Sequence, residues 1–329
     1  MEREKYKAHS IIKSSANTNA DNLFYEYLCG LVANTWAVRF PCFLETYGVY
    51  GYKNDDIWKK VKNNKTTNVS AFSNYMQLLC EDTIHINGDK FKKILQQSCT
   101  HSKYIAIMIQ HIKNATTLYD FFDNKVNKYY FVNNQLVAIL FQVYFALHVL
   151  KNNFTHYDLH TENVLIYQPN HYEYIHYHYV LSNGQTVSFK SPYMSKIIDY
   201  GRSYFKHETK ENFNSTYIYE KICEQKKCDP CGRSVGYAWL TRSGPLRNQS
   251  FIYSAQPNRS HDLRLLYSLK SNFKTYKLNR KIHKNDNSLY FKIIDKLKYN
   301  TTYGTPEMSN NKYPKKIETT TDAFNGLKD

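Results

Sequence analysis

The amino-acid sequence predicts an α+β fold, and three segments of the chain support that prediction. Residues 103–112 form a nearly continuous apolar run, which is typical of a strand buried on both faces. Residues 133–151 carry a broad apolar stripe at helical spacing and predict the strongest helix of the chain. Residues 176–190 place Asn183-Gly184 between two alternating runs, which is the pattern of a β-hairpin. With 329 residues, the chain is long enough for one large or two small domains.

The first part of the chain predicts a strand, a helix and a second strand. Residues 6–13 favour a short strand with a lysine at its end, and residues 20–33 favour a helix capped by Asp21. Residues 41–52 favour a strand and a turn. The segment 53–100 is polar, rich in Lys and Asn and weakly patterned, so we expect a partly helical insertion there.

The remaining segments are assigned by the same patterns. We expect helices at 116–122, 261–271 and 287–298, a short strand at 196–198, and irregular structure at 202–258 and from Tyr299 onward. Polar loops separate these elements, and reactive side chains concentrate in such loops.

The charge balance is strongly basic, with a net charge of +16. A basic surface favours polyanions such as nucleotides, nucleic acids or acidic membranes. The densest basic run, Lys59 to Lys65, is interrupted by Val61, Asn63 and Asn64, which argues against a dedicated nucleic-acid groove. The apolar fraction of 42% excludes a disordered chain.

The cysteine pattern and the N-terminus bear on the compartment. The seven cysteines are an odd number with irregular spacings, which favours reduced thiols. The first residues, MEREKYKAHS, are charged and lack an apolar signal core. No apolar run approaches the ~20 residues of a membrane span. We therefore expect a cytoplasmic protein without a membrane partner.

One group of polar residues, in two segments of the chain, has the side chains that a catalytic site needs. The helix at 133–151 leads into the polar loop 156–163 (HYDLHTEN), and a later strand delivers Asp199-Tyr200-Gly201. Phosphoryl transfer needs one carboxylate that orients and deprotonates the attacking hydroxyl, and an amide oxygen and a second carboxylate that hold Mg²⁺ against the phosphates. Asp158 is placed for the first role, and Asn163 and Asp199 for the second. Gly201 is expected to let the backbone turn away sharply.

This stretch resembles the protein-kinase catalytic loop, H-R-D-L-x-x-x-N, and metal loop, D-F-G. The matching positions are His156, Asp158, Leu159, Asn163, Asp199 and Gly201. The segments DLHTEN and KIIDYGRS are also similar to serine/threonine kinase-like proteins of large DNA viruses. The resemblance implies His156, Asp158 and Asn163 as catalytic-loop residues, and Asp199 and Gly201 as part of the nucleotide site.

The resemblance also implies a fold and an activity. The fold would be two-lobed, with residues 1–112 as a reduced N-lobe containing the polar insertion at about 53–100. Residues 113–329 would form a C-lobe with the catalytic loop, an enlarged activation region and a polar tail. ATP and Mg²⁺ would be the cofactors and Ser/Thr of a protein the acceptor, in the host-cell cytoplasm or in a virion if the protein is viral.

The resemblance extends to the nucleotide side of such a site. Lys13 resembles the strand lysine that binds the α- and β-phosphates, and Glu26 in the following helix is its natural partner, with Glu45 in reserve. Gln110 and Ile112 end the strand that resembles the hinge, whose backbone would hydrogen-bond the adenine. Further along, Ser260-His261-Asp262-Leu263 resembles the start of the helix whose aspartate braces the catalytic loop.

The sequence departs from the kinase pattern in three places. Only twelve residues precede Lys13, too few for the usual glycine-rich phosphate loop. This favours, as one alternative, a catalytically inactive pseudokinase scaffold. Tyr157 stands where the family has the arginine through which activation-loop phosphorylation orders the site. His160 makes Asp-Leu-His-x-x-Asn similar to small-molecule phosphotransferases that modify aminoglycosides or choline, the other alternative.

A cysteine cluster leaves a metal question open. Cys223, Cys228 and Cys231 form C-x₄-C-x₂-C, and a cysteine pair two apart is half of a structural zinc site. His207 is the nearby candidate for a fourth ligand. The alternative is free thiols in a loop insertion.

Overall fold

The computed structural model describes residues 10–14, 23–63, 72–80, 105–123, 128–170, 173–218, 238–240, 251–272 and 319–328. The chain is mixed α and β, as the sequence predicted. Its contacts divide it into two units. The first unit comprises Met1–Val38, Leu44–Ile112 and Asp199–Gln256, and the second comprises Arg39–Phe43, Lys113–Ile198 and Pro257–Asp329. The segment Asp199–Gln256 thus groups with the first unit, whereas the sequence boundaries placed it in the second part.

The elements are numbered in chain order. The strands are β1 Ser10–Ser14, β2 Thr46–Tyr52, β3 Met76–Cys80, β4 Ile105–Gln110, β5 Thr116–Thr117, β6 Phe154–Thr155, β7 Val164–Tyr167, β8 Ile175–Val180, β9 Thr186–Ser191, β10 Met194–Ile197, β11 Tyr204–Phe205, β12 Ala238–Leu240 and β13 Phe251–Tyr253. The helices are α1 Leu23–Ala37, α2 Asp55–Asn63, α3 Phe72–Tyr75, α4 Leu118–Asp123, α5 Lys128–Asn134, α6 Leu136–Val149, α7 Arg264–Asn272 and α8 Thr320–Lys328.

The first unit is built on an antiparallel sheet with the strand order β1-β4-β2-β3. β4 is central, and its first three residues are buried. α1 is buried around most of its circumference and packs against β2 and β4. Gly30 lets α1 approach β2 closely, because a Cβ at this position would lie 2.1 Å from Thr46 Oγ1.

The second unit is built around α6, whose residues are almost all buried. Phe141 and Phe145 of α6 contact Phe324 of α8. Phe141 also packs against Tyr179 and Phe189 of the β8–β9 hairpin. A separate three-stranded sheet has the order β10-β7-β5. α6 therefore anchors both the hairpin and α8.

Several predicted elements are confirmed. The strand predicted at 103–112 is β4, the helix at 20–33 is α1, the helix at 133–151 is α6, and the hairpin at 176–190 is β8 and β9. In the hairpin loop, Gly184 has φ at +80°, which glycine adopts without steric cost, and its N–H donates to Leu181 O at 2.9 Å.

Three expectations need correction. The segment 53–100, expected to be a partly helical insertion, also contains β3, which joins the sheet beside β2. The loop-like segment 202–258 contains the short strands β11, β12 and β13. The tail, expected to be irregular, contains α8, because Ala323, Phe324 and Leu327 supply an apolar stripe that is buried. The helix predicted at 287–298 lies outside the described residues.

One stretch among the described residues, Tyr130–Val149, is long and apolar enough to cross a membrane by length and composition alone. It has a mean hydropathy of 1.3, and 76% of it is buried inside the protein. The buried core helix of a soluble protein meets the same criteria.

Candidate active site

His156 anchors the polar loop 156–163 within the second unit. Its side chain is fully buried. Nε2 lies 2.8 Å from Ile198 O, and Nδ1 accepts a hydrogen bond from the backbone N–H of Asp158 at 3.2 Å. A neutral imidazole with its proton on Nε2 satisfies both contacts. The buried ring fixes the backbone at Asp158, and the catalytic-loop role expected for His156 stays a prediction.

Asp262 braces the same loop, as the sequence predicted. Its two carboxylate oxygens accept the backbone N–H groups of His156 at 2.8 Å and Tyr157 at 3.0 Å. Asp262 is only 1% exposed. Burial raises its pKa to about 7, although the two N–H groups and Arg264 act in the opposite direction. This carboxyl fixes the backbone directly before Asp158.

Tyr157 adopts a backbone conformation that L-residues rarely use, with φ at +62°. For a residue with a side chain this conformation costs about 1–2 kcal/mol. The hydrogen bond from its N–H to Asp262 and the contact of its buried ring with His261 hold it in place. The aromatic ring thus fills a buried position where the kinase motif has arginine.

The carboxylate of Asp158, the candidate base, is ion-paired with Arg264 Nη1. His160 Nε2 is 3.9 Å from the same carboxylate oxygen. Asp158 is only 16% exposed at its side chain and Arg264 22%, so water screens this pair less than a surface pair. Arg264 was missed at the sequence level. Its position two residues after Asp262, at the start of α7, was the available signal.

Asn163 is held by its amide nitrogen. Nδ2 donates to Asp158 O at 2.9 Å and lies 3.2 Å from His160 Nε2. The backbone O of Asn163 accepts from Ile198 N at 3.1 Å. Because both side-chain contacts use Nδ2, Oδ1 is the atom of Asn163 suited to a metal ion.

In the first unit, Lys13 contacts two carboxylates. Lys13 Nζ lies 2.7 Å and 3.0 Å from the two oxygens of Glu26 and 2.9 Å from Asp199 Oδ1. The side chain of Glu26 is 6% exposed, that of Lys13 35% and that of Asp199 46%. Burial by itself would lower the pKa of Lys13, but the charges of Glu26 and Asp199 outweigh it and raise that pKa. The predicted pairing of Lys13 with Glu26 is confirmed, and the reserve partner Glu45 is not used.

The chain turns at Gly201 and Arg202, as expected, and the N–H of Ser203 donates to Tyr200 O at 3.0 Å across this turn. Just before the turn, Asp199 adopts a left-handed backbone conformation with φ at +67°. Tyr200 follows, and its hydroxyl accepts from the backbone N–H of Leu44 at 2.8 Å. A left-handed aspartate is a common exception to the preference for glycine, and such outliers cluster at functional sites.

The predicted hinge residues lie at the end of β4. The N–H of Gln110 donates to Glu45 O at 2.9 Å, and β4 ends there. Ile112 follows β4 and is half-buried. The adenine contacts assigned to Gln110 and Ile112 stay predictions.

The oxygen atoms of Asn163 and Asp199 suit Mg²⁺, which prefers carboxylate and amide oxygens. No group of three or more His, Cys, Asp or Glu side chains that could hold a metal ion is found in the described part of the chain. The predicted zinc ligands Cys223, Cys228 and Cys231 lie outside that part.

No protein-family model matches the chain, and no curated protein matches it either. The kinase resemblance therefore depends on the residues quoted above and on their local geometry. Asp158 and Asn163 belong to the second unit and Asp199 to the first, so their convergence on one cleft stays a prediction.

Proposed function

We propose that the chain is an ATP- and Mg²⁺-dependent kinase that phosphorylates Ser or Thr of a protein substrate. The observation that carries this proposal is the contact of Lys13 with both Glu26 and Asp199. These two partners lie 13 and 186 residues away in the sequence, and the sequence alone assigns each of them to the nucleotide site.

On the nucleotide side, Lys13 is kept charged by its two carboxylates and is suited to bind phosphate oxygens. Glu26 is nearly buried and orients the ammonium group. Asp199 is the most exposed of the three, which suits a metal ligand. Mg²⁺ would supply the positive charge that offsets the developing negative charge on the phosphates.

On the acceptor side, Asp158 would accept the proton of the attacking hydroxyl. His156 and Asp262 fix the backbone around it. Asn163 would bind the metal through Oδ1, because its Nδ2 is already used. Two conventional kinase elements, the loop aspartate and the loop asparagine, are thus held by one hydrogen-bond network.

A nucleotide-binding scaffold without turnover is the second candidate. The ion pair between Arg264 and Asp158 favours it, because the guanidinium occupies a carboxylate oxygen that the attacking hydroxyl would need. The scaffold would retain Lys13, Glu26 and Asp199 for binding and use Asp158 only for structure.

The experiment compares MgATP-dependent thermal shift with phosphotransfer in the wild type and three variants. Asp158→Asn is expected to lower phosphotransfer by ~10²–10⁴ and keep the thermal shift. Asp199→Asn is expected to lose the Mg²⁺-dependent part of the shift, because the lost charge lies on the metal. Asp56→Asn, at an exposed position in α2, is the matched control and should change neither.

The outcomes separate the two candidates. A wild type that binds MgATP and phosphorylates neither itself nor a generic protein substrate supports the scaffold and refutes the kinase. A wild type that binds no nucleotide in the presence of Mg²⁺ refutes both.

A further inference from the structure

A groove on the second unit lies apart from the candidate catalytic residues, none of which lines it. It has a volume of about 800 Å³ and lies between β8, the end of α6, residues 39–41 and α8. That volume falls within the ~300–1,000 Å³ typical of ligand sites.

One wall of the groove is the edge of a strand. Residues 176–180 of β8 line it without interruption, although successive strand residues point to opposite faces. Because residues from both faces of β8 line the groove, the groove lies at the edge of this strand. β9 contributes no residue to the lining and is the only strand paired with β8 among the described strands. The groove therefore borders the edge of β8 that faces away from β9, where alternate residues present backbone N–H and C=O groups.

The charged side chains that line the groove are all positive. Arg39, Lys151 and Lys328 line the groove, and no Asp or Glu does. His176 and His178 add two exposed side chains that gain positive charge on protonation. The groove is therefore complementary to an acidic ligand.

His148, at the end of α6, lies close to the same positive charges. His148 stacks on Phe324 at a centroid distance of 4.5 Å and has Nδ1 3.1 Å from Thr321 Oγ1. Burial lowers the pKa of His148, and the charges of Lys151 and Lys328 lower it further.

The aromatic residues of the groove form its floor. Phe40, Phe145 and Phe324 are each under 9% exposed and pack against one another or against the hairpin. These three buried rings offer no exposed face on which nucleic-acid bases could stack. Val149 and Val180 are the exposed apolar residues at the rim, at 47% and 68%. They suit small apolar side chains.

We propose that the groove binds an extended acidic segment of a partner protein, which adds to β8 as a further strand. The strand edge supplies backbone hydrogen bonds, which a peptide uses and a nucleic acid does not. Acidic side chains on one face of the added strand would meet Arg39, Lys151 and Lys328. Apolar side chains on the other face would lie beside Val180, which shares its face of β8 with His176 and His178. The inference does not depend on the proposed kinase activity.

The probe follows from this alternation. A fluorescein-labelled peptide of three Glu-Val repeats matches the six residues of β8. Its anisotropy is titrated with the full chain, beside a peptide with the same residues in two blocks and a labelled oligothymidylate. We expect the alternating peptide to bind most tightly, and to bind more weakly as ionic strength rises from about 0.01 M to 0.15 M.

Protein variants test the position of the site. The pair Lys151→Glu and Lys328→Glu is expected to weaken binding by about tenfold or more, equal to ~1.4 kcal/mol. The matched control pair, Lys53→Glu and Lys60→Glu, makes the same change of net charge at exposed positions of the first unit and should leave binding within about twofold.

Peptide variants test the strand addition. The N–H groups of Glu and Val residues point to opposite edges of an extended peptide, so N-methylation of one set should abolish binding and of the other set should not. Four results overturn the proposal: tighter or equal binding of the block peptide or the oligothymidylate, no binding of the alternating peptide up to about 1 mM, equal losses in both lysine pairs, and the same effect of both methylations.

Discussion

Replacing Asp262 by asparagine tests whether the contribution of this buried carboxyl to the free energy of unfolding depends on pH. Asp262 accepts two backbone N–H groups and is almost completely buried. Asparagine has one acceptor oxygen, so either His156 or Tyr157 loses its hydrogen-bond acceptor. A buried donor left without a partner costs about 1–3 kcal/mol, independently of pH.

The pH-dependent part has a definite sign. The pKa of Asp262 is raised from an ordinary value of 3.8 to about 7, mainly by burial. The folded protein therefore holds the proton more tightly than the unfolded chain, and the contribution of Asp262 to the free energy of unfolding falls as the pH rises through this range. At 1.36 kcal/mol per pH unit, it falls by roughly 2–3 kcal/mol between about pH 5 and pH 8. Asparagine has no such dependence.

The assay is urea unfolding of the wild type and Asp262→Asn at about pH 5 and about pH 8. The difference in the free energy of unfolding between the two proteins should favour the wild type by roughly 2–3 kcal/mol more at the lower pH. A difference that stays constant with pH refutes the reasoning. A difference that grows with pH would mean that the two N–H groups outweigh burial and hold the carboxylate ionised.

Three further predictions concern packing, thiols and a turn. Gly30→Ala should lower the free energy of unfolding, measured in urea, by about 1–3 kcal/mol. The reason is that Thr46, whose backbone makes two hydrogen bonds with Asn34, cannot yield to the new methyl group. Unchanged stability would contradict the close approach of α1 to β2. Cys29 and Cys42 should react with a thiol reagent at pH 8 only after unfolding. Burial raises the pKa of both thiols, and that of Cys42 to about 12. Peptide mapping that finds either cysteine modified in the native protein would contradict this. Gly184→Ala should lower the free energy of unfolding by about 1–2 kcal/mol. Its φ is +80°, and a Cβ there would contact no other atom, so backbone strain is the cause. A smaller loss of stability with β-branched valine than with alanine would exclude that cause.

The elements that the sequence predicted are those in which local pattern and burial agree. The Asn183-Gly184 turn sets the register of β8 and β9, and the apolar circumference of α6 reflects burial on nearly every side. β3 was missed because five residues, MQLLC, are too short for their periodicity to separate a strand from a helix. α8 was missed because its apolar stripe consists of few residues within a polar segment, and packing against α6 stabilises it.

The candidate site shows the same limit. Motif spacing was enough to single out Lys13, Glu26 and Asp199, whose contact depends on residue types that carry opposite charges. It was not enough to find the ion pair between Arg264 and Asp158, since these residues lie 106 positions apart and the one signal for Arg264 was its position two residues after Asp262. Backbone strain at Tyr157 and Asp199 is likewise set by tertiary contacts and has no counterpart in the sequence pattern.

The hydroxyl of Tyr25 in α1 donates to Ser203 O at 2.6 Å, across 178 residues of sequence. A ribosome that adds about 5–20 residues per second needs roughly 9–36 s to synthesise that interval. α1 is apolar around most of its circumference, so the growing chain carries an unfinished hydrophobic helix for that time. Codons that slow translation between residues 25 and 203 would lengthen the time for which the contact of Tyr25 with Ser203 cannot form.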